Sequence, residues 1–139
     1  TGVTSGECDR NDVLRRFAIQ LGGEAVRVGQ ALGYRLEKLG ELEPERLALA
    51  SEGDAKALSE IEEIMMKRTA SNPRAGIQRP SMAQDMAKGR RTEIEFMNGL
   101  IAEKGRQVGV PTPSHVKLVD IVLRVERGEL RPSPANFNF

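Results

Sequence analysis

An all-α helical bundle is the fold class this sequence predicts. Three observations carry the prediction: apolar residues recur at steps of three and four, Gly and Pro fall where helices would end, and no convincing period-two strand occurs. Short β segments stay open as an alternative.

The run from Cys8 to Tyr34 places Leu14, Phe17, Ala18, Leu21, Ala25, Val28 and Leu32 on one helical face, and Gly33 supplies a stop. Gly22 and Gly23 inside this pattern each cost about 1 kcal/mol relative to Ala, so compensating close packing against another helix is expected, with a kink as the alternative. From Gly40 to Ala70 eight acids face four bases on two short helical patterns. Pro44 suits a first helical position, and Ala57 or Leu58, Ile61, Ile64 and Met65 mark the second pattern. Lys56 with Glu60 and Glu63 with Lys67 stand one turn apart and can pair on a solvated face. Met65 and Met66 read as core filler rather than a soft metal site, because no His or Cys joins them.

The stretch TASNPRAGIQRP, residues 69–80, is an expected irregular connection. Ser81 with Gln84 then matches a capping box, and Thr92 with Glu95 matches a second one after a break at Gly89. The helix opened by Thr92 is expected to carry Ile94, Met97, Ile101, Lys104 and Val108 on one stripe, broadened by Leu100, and to end before Gly109 and Pro111. Ser114 can cap a last helix with Leu118, Val119, Ile121, Val122 and Val125, followed by Gly128 and a Pro-rich tail.

A length of 139 residues suits one domain, and 21 basic against 20 acidic residues leave no global field to recruit nucleic acid or an anionic membrane. Cys8 stands alone, which excludes an intrachain disulfide and a CxxC centre. No apolar run approaches the ~20 residues of a membrane span and no signal-type leader is present, so a soluble cytoplasmic protein is expected. The chain starts at Thr1 rather than Met, which suggests a processed product, a fragment or a deliberately cut chain.

His115, the single histidine, lacks a partner at ligand spacing and is expected to cap a helix or lie at the surface. No GxGxxG, Walker loop, HExxH or GxSxG occurs, so the chain alone can neither cradle a dinucleotide nor build a recognised nucleophile. Lys88, Arg90 and Arg91, with Arg74 and Arg79, make the middle of the chain locally basic, yet the 4% aromatic content offers few stacking platforms for single-stranded nucleic acid. A solvated helix end or contact with an anionic ligand are the readings left. Ser81 and Glu93 fall at predicted helix starts, where unpaired N–H groups and the dipole favour negative charge. There a serine can offer its hydroxyl to a substrate carboxylate and a glutamate can accept from sugar hydroxyls or an ammonium; the alternative is that both are structural, the serine as a cap only.

Residues Pro80 to His115, PSMAQDMAKGRRTEIEFMNGLIAEKGRQVGVPTPSH, resemble the signature of the C-terminal domain of ketopantoate reductases in six ordered elements: SM, QD, GR, TEI, NG and GVPTP. Weaker similarity reaches back through the first helix and its lead-in TGVTSGE. The resemblance implies that residues 1–139 are one C-terminal helical domain, similar to the 6-phosphogluconate dehydrogenase C-terminal-domain-like fold. It implies a Rossmann domain before Thr1 as partner, and reduction of 2-dehydropantoate to pantoate with NADPH on the way to pantothenate and coenzyme A.

In that family the serine of SM contacts substrate, which carries over to Ser81, and the glutamate of TEI lies beside the nicotinamide ribose, which carries over to Glu93. Ser5 stands where some relatives have a substrate-contacting asparagine, which leaves another small 2-oxo acid open as substrate. The family's catalytic lysine precedes Thr1, so no catalytic residue is expected in this chain, and the chain alone is expected to be inactive. No metal, nucleic acid or membrane partner is implied, and a homodimer stays open. The alternatives are a paralogous reductase of another 2-oxo acid and a noncatalytic helical interaction or oligomerisation domain.

Overall fold

Asn11 divides what the apolar spacing presents as one long first helix. In the computed structural model, which describes residues 2–72, 74, 76, 77 and 79–137, Asn11 is extended (φ −87°, ψ 116°) and its side chain accepts the Leu14 N–H at 3.1 Å. Asparagine is among the strongest N-caps, so α1 (Ser5–Arg10) stops there and α2 (Asp12–Ala31) starts. The start of α1 is a complete capping box: Thr4 Oγ1 accepts from the Glu7 N–H, and Glu7 Oε2 accepts from the Thr4 N–H at 2.7 Å.

α2 is buried on two sides. One side meets α3 (Pro44–Ser51) and α4 (Ala55–Ala70), where Ile19, Ala50, Ala57, Ile61 and Met65 form a core cluster. Pro44 takes the first helical position as expected, and Met65 is buried while Met66 is exposed. Gly22 and Gly23 answer to packing rather than to a kink. A Cβ on Gly23 would fall 1.9 Å from Ser51 Oγ and 3.1 Å from the Leu47 carbonyl oxygen, so the two helices touch backbone to backbone.

Ion pairs close this half. Arg15, only 8% exposed, donates to the Asp9 carbonyl (2.9 Å), Asp12 (2.7 Å) and Glu62 (3.2 Å), and thereby ties α1, α2 and α4. Glu63 pairs with Lys67 at 2.7 Å, as the spacing allows. The expected Lys56–Glu60 pair does not form, because Arg46 of α3 bonds Glu60 through Nε at 2.8 Å. A guanidinium offers two donors in one plane, a better match to a carboxylate than a flexible ammonium.

The other side of α2 presents Leu14 and Phe17 to Ile121 of α7 (Pro113–Glu126) and to Phe137. The Pro-rich tail is not idle: a 3-10 turn, Pro134–Phe137, buries Phe137 edge-on against Phe17 with ring centroids 5.0 Å apart. Between the two halves come α5 (Ser81–Ala87), a π-helical turn (Glu95–Gly99) and α6 (Leu100–Val108), which ends as expected on left-handed Gly109. Among the described residues the only β feature is an isolated Leu39–Leu42 bridge, so the all-α reading holds. No helix among them is long and apolar enough to cross a membrane.

Candidate functional site

Thr92 does not cap its helix in the expected way. Its N–H and Oγ1–H both go to Oε1 of Glu126, the last residue of α7, at 2.7 and 2.6 Å. Glu95, the other half of the expected capping box, instead pairs with Arg91 at 2.6 Å. The Thr92 N–H that a capping box would give to Glu95 goes to Glu126 instead, while Thr92 Oγ1, donating to Glu126, still accepts from the Ile94 N–H at 3.4 Å. Helical geometry begins only at Ile94, 1% exposed, and passes at once into the π turn.

That turn re-aims the expected apolar stripe. A π turn holds one residue more than an α turn, so side chains beyond it rotate around the axis. Ile94, Ala102 and Gly105 face inward, whereas Met97 is 52% and Leu100 48% exposed, joined outside by Phe96 at 80%. Asn98 takes the inner place, its Nδ2 3.0 Å from His115 Nδ1.

His115 is therefore no surface residue. It is 2% exposed, with Nε2 2.9 Å from the Leu21 carbonyl oxygen. A carbonyl can only accept, so Nε2 carries the proton and Nδ1 accepts from Asn98. Nor does Ser114 cap α7. The cap position is Thr112, without a side-chain bond, and the free N–H groups of Ser114 and His115 donate to the two oxygens of Glu24 on α2, at 3.0 and 3.2 Å. A carboxylate at a helix N-terminus also has the favourable sign for the dipole.

Glu93 stands between these anchors. Its neighbours Thr92 and Ile94 are buried, it is itself exposed, and its carboxylate pairs with none of the described residues. An exposed carboxylate without a partner at the head of a helix can accept from vicinal hydroxyls.

Ser81 is the first residue of α5, but Pro80 holds the cap position and no side-chain cap bond forms. The expected box needs Ser81 at the cap, and with Pro80 there the N3 residue is Ala83 rather than Gln84. Gln84 turns instead to the Arg79 carbonyl oxygen at 2.9 Å. Ser81 is exposed, and α5 buries none of its residues.

Ser5 opens α1 and is half-buried. Its neighbourhood reaches α5 through charge. The Thr4 backbone N–H, the Thr4 hydroxyl and the more distant cations Arg79 and Arg10 hold the Glu7 carboxyl below the usual range. Ser5 and Ser81 thus open α1 and α5, and Glu93 lies in the bend just before the π turn. Arg79, Lys88, Arg90 and Arg91 are exposed around α5, with Arg91 engaged by Glu95. Pro73, Ala75 and Gln78 of the irregular connection lie outside the described residues.

The residues that spacing alone misses are Asn98, His115, Glu24 and Glu126. Each acts through partners 17 to 94 positions away, which no local pattern can reveal. Among the described residues no three His, Cys, Asp or Glu side chains gather as a metal site would require.

Residues 1–126 match the family described as ketopantoate reductase PanE/ApbA C terminal. A 2-dehydropantoate 2-reductase of Archaeoglobus fulgidus is 31% identical over 91% of this chain, which spans 34% of that relative's length. One of Aquifex aeolicus is 42% identical over 37% of this chain and 16% of the relative. Among solved structures, D-mandelate dehydrogenase with NADH and anilino(oxo)acetate superposes with a TM-score of 0.65 at 23% identity, over 91% of this chain and 43% of that one. That likeness shows the fold alone, an all-helical domain. By its sequence, the chain belongs to the ketopantoate reductase C-terminal domain family.

Proposed function

We propose that this chain is the substrate-side domain of an NADPH-dependent 2-dehydropantoate 2-reductase, working with a Rossmann domain that supplies the nucleotide cradle. The single observation that carries the reading is the arrangement around Glu93: an exposed carboxylate, unpaired among the described residues, between two buried neighbours in the TEI element of the family signature. The relatives that match are named 2-dehydropantoate 2-reductase, and the solved neighbour is a dehydrogenase with NADH.

The chain's residues fit one edge of a dinucleotide and no more. Glu93 can accept hydrogen bonds from the nicotinamide ribose, but the described residues contain no strand and Gly-rich turn to hold a pyrophosphate. The bound cofactor supplies the hydride that reduces the ketone. Glu93 orients the ribose, and the Ser81 hydroxyl donates to the carboxylate of the 2-oxo acid beside the exposed cations of the α5 region. The proton for the developing alkoxide comes from a lysine of the partner domain.

Phe96, Met97 and Leu100, exposed on the same short stretch as Glu93, form the apolar ground on which that domain rests. A second reading, a reductase of another 2-oxo acid, draws support from Ser5. A serine there reaches less far than the asparagine of some relatives and offers different hydrogen bonds.

In the protein carrying the nucleotide-binding domain, Glu93→Gln should raise the KM for NADPH about tenfold, the worth of a hydrogen bond to a charged group. An unchanged KM favours a noncatalytic helical domain instead. The 139-residue chain alone should not oxidise NADPH with ketopantoate, and robust turnover by it would overturn the need for a second domain. A panel of 2-oxo acids compared by kcat/KM separates ketopantoate from its competitors.

A further inference from the structure

Glu126 is a charged residue in an electrostatically poor place. It closes α7, where the carbonyl end of the helix dipole repels a carboxylate, so α7 itself gains nothing from it. Its oxygen is instead spent on one residue, Thr92, through both the backbone N–H (2.7 Å) and the hydroxyl (2.6 Å), with Thr92 only 7% exposed. The residue after Thr92 is Glu93, and the one after that is buried Ile94.

The other end of the segment is held by the same helix. Asn98, inside the π turn, bonds the His115 ring, and His115 is pinned in turn by the Leu21 carbonyl oxygen and by Glu24 on its backbone N–H. α7 therefore grips residues 92–98 at two points, His115 in its first turn and Glu126 at its last residue, and Glu24 holds α7 to the central helix α2. Within this segment Ile94 alone packs its apolar side chain inward, at 1% exposed, while Phe96 and Met97 face outward, so the two grips join Ile94 in defining where the segment sits.

We infer that Glu126 is a positioning residue for Glu93: its double acceptance from Thr92 fixes the turn on which the ribose-side carboxylate is carried. This rests on the ribose reading of Glu93 given above. Preorganisation of this kind acts on binding of the group that Glu93 meets and leaves the chemical step alone.

The test uses two readouts and two variants. In the 139-residue chain, Glu126→Ala should speed hydrogen exchange of the Thr92 and Ile94 amides about tenfold, leaving the α2–α4 amides unchanged, while Glu126→Gln, which keeps an acceptor oxygen, should restore most of the protection. In the protein with its nucleotide-binding domain, Glu126→Ala should raise the KM for NADPH about tenfold with kcat within about twofold of the parent, and Glu126→Gln should again recover it. A residue that merely supports the fold would lower the active fraction, and with it kcat, without moving KM.

Unchanged exchange at Thr92 and Ile94 overturns the inference. So does an unmoved KM in Glu126→Ala beside a raised one in Glu93→Gln. If Glu93→Gln itself leaves KM unmoved, the ribose reading fails and the role assigned to Glu126 toward the cofactor fails with it, while the exchange data still decide whether Glu126 anchors the turn.

Discussion

The half of the molecule built from α2, α3 and α4 and the stretch from Arg79 to Leu100 solve opposite problems. In the first, side chains are shaped by partners within the chain: Gly23 against Ser51, Arg15 among Asp9, Asp12 and Glu62, Ile19 against Ile61. In the second, α5 buries nothing, and Phe96, Met97 and Leu100 face outward. Ser81 and Glu93 there have no partner among the described residues. The difference teaches that this domain keeps its rigidity and its candidate chemistry apart, with α7 as the link between them through Glu24 at one end and Glu126 at the other.

The contrast is broken most forcefully at Gly23. An alanine Cβ would lie 2.3 Å from Ser51 Cβ and 3.1 Å from the Leu47 carbonyl oxygen, neither of which can swing away as a flexible side-chain tip could. Overpacking of this kind costs roughly 1–3 kcal/mol, against about 1 kcal/mol returned by replacing Gly with Ala inside a helix. Because 2.3 Å is far inside contact the upper end of that cost applies, and Gly23→Ala should lower unfolding free energy in urea by about 2 kcal/mol. Adding Ser51→Gly removes the opposing Cβ and should recover much of that loss. A Gly23→Ala chain as stable as the parent would show that α2 and α3 can part without cost.

A smaller effect tests the ion pairs of the same half. Arg27 donates to Glu52 (2.5 Å) and to Glu45 (2.9 Å), and these hydrogen bonds hold both carboxyls below their usual pKa of 4.5 while raising that of the guanidinium further. A carboxyl whose folded pKa is depressed contributes stability that is complete above the unfolded value and is lost as pH falls through the folded one. Stability should thus decline as pH drops below about 4.5, and Arg27→Gln should flatten that decline. Because both carboxylates are about half exposed, the contribution at neutral pH should not exceed about 1 kcal/mol. Urea midpoints for both chains between pH 6 and pH 3 measure it, and parallel slopes would remove Arg27 from the account.

The same contrast governs what the sequence makes legible. α2 and α4 can be read from apolar spacing because Leu14, Phe17, Ile61 and Met65 answer to burial, a property that repeats with the helix period. The glycine pair could be read as a contact because its cost demands one. The caps of the later helices could not. Thr92 looks outward from its own helix to a carboxylate 34 positions on, and the Ser114 N–H to one 90 positions back. Thr4 with Glu7 is a purely local box at the right spacing. The π turn has no periodic signature, so Met97 reads as core and lies outside. Of the candidate site, the roles proposed for Ser81 and Glu93 start from family resemblance, since spacing alone leaves both structural; the structure adds that both are exposed and that Ser81 is not a cap.

The smallest effect is also the sharpest discriminator of the two regions. Phe96 is 80% exposed, so exchanging it for serine removes almost no contact from the chain itself, and surface changes of this kind stay within about 0.5 kcal/mol. An aromatic ring of this size held in water is favourable only when something later covers it, and covering it fully is worth about 2 kcal/mol. Phe96→Ser should therefore leave the urea midpoint of the 139-residue chain where it is, yet loosen the seating of the nucleotide-binding domain in the larger protein, seen as faster proteolysis between the two. A destabilised 139-residue chain would mean that Phe96 belongs to the domain's own core, and the division between a self-sufficient half and an unfinished one would have to be redrawn.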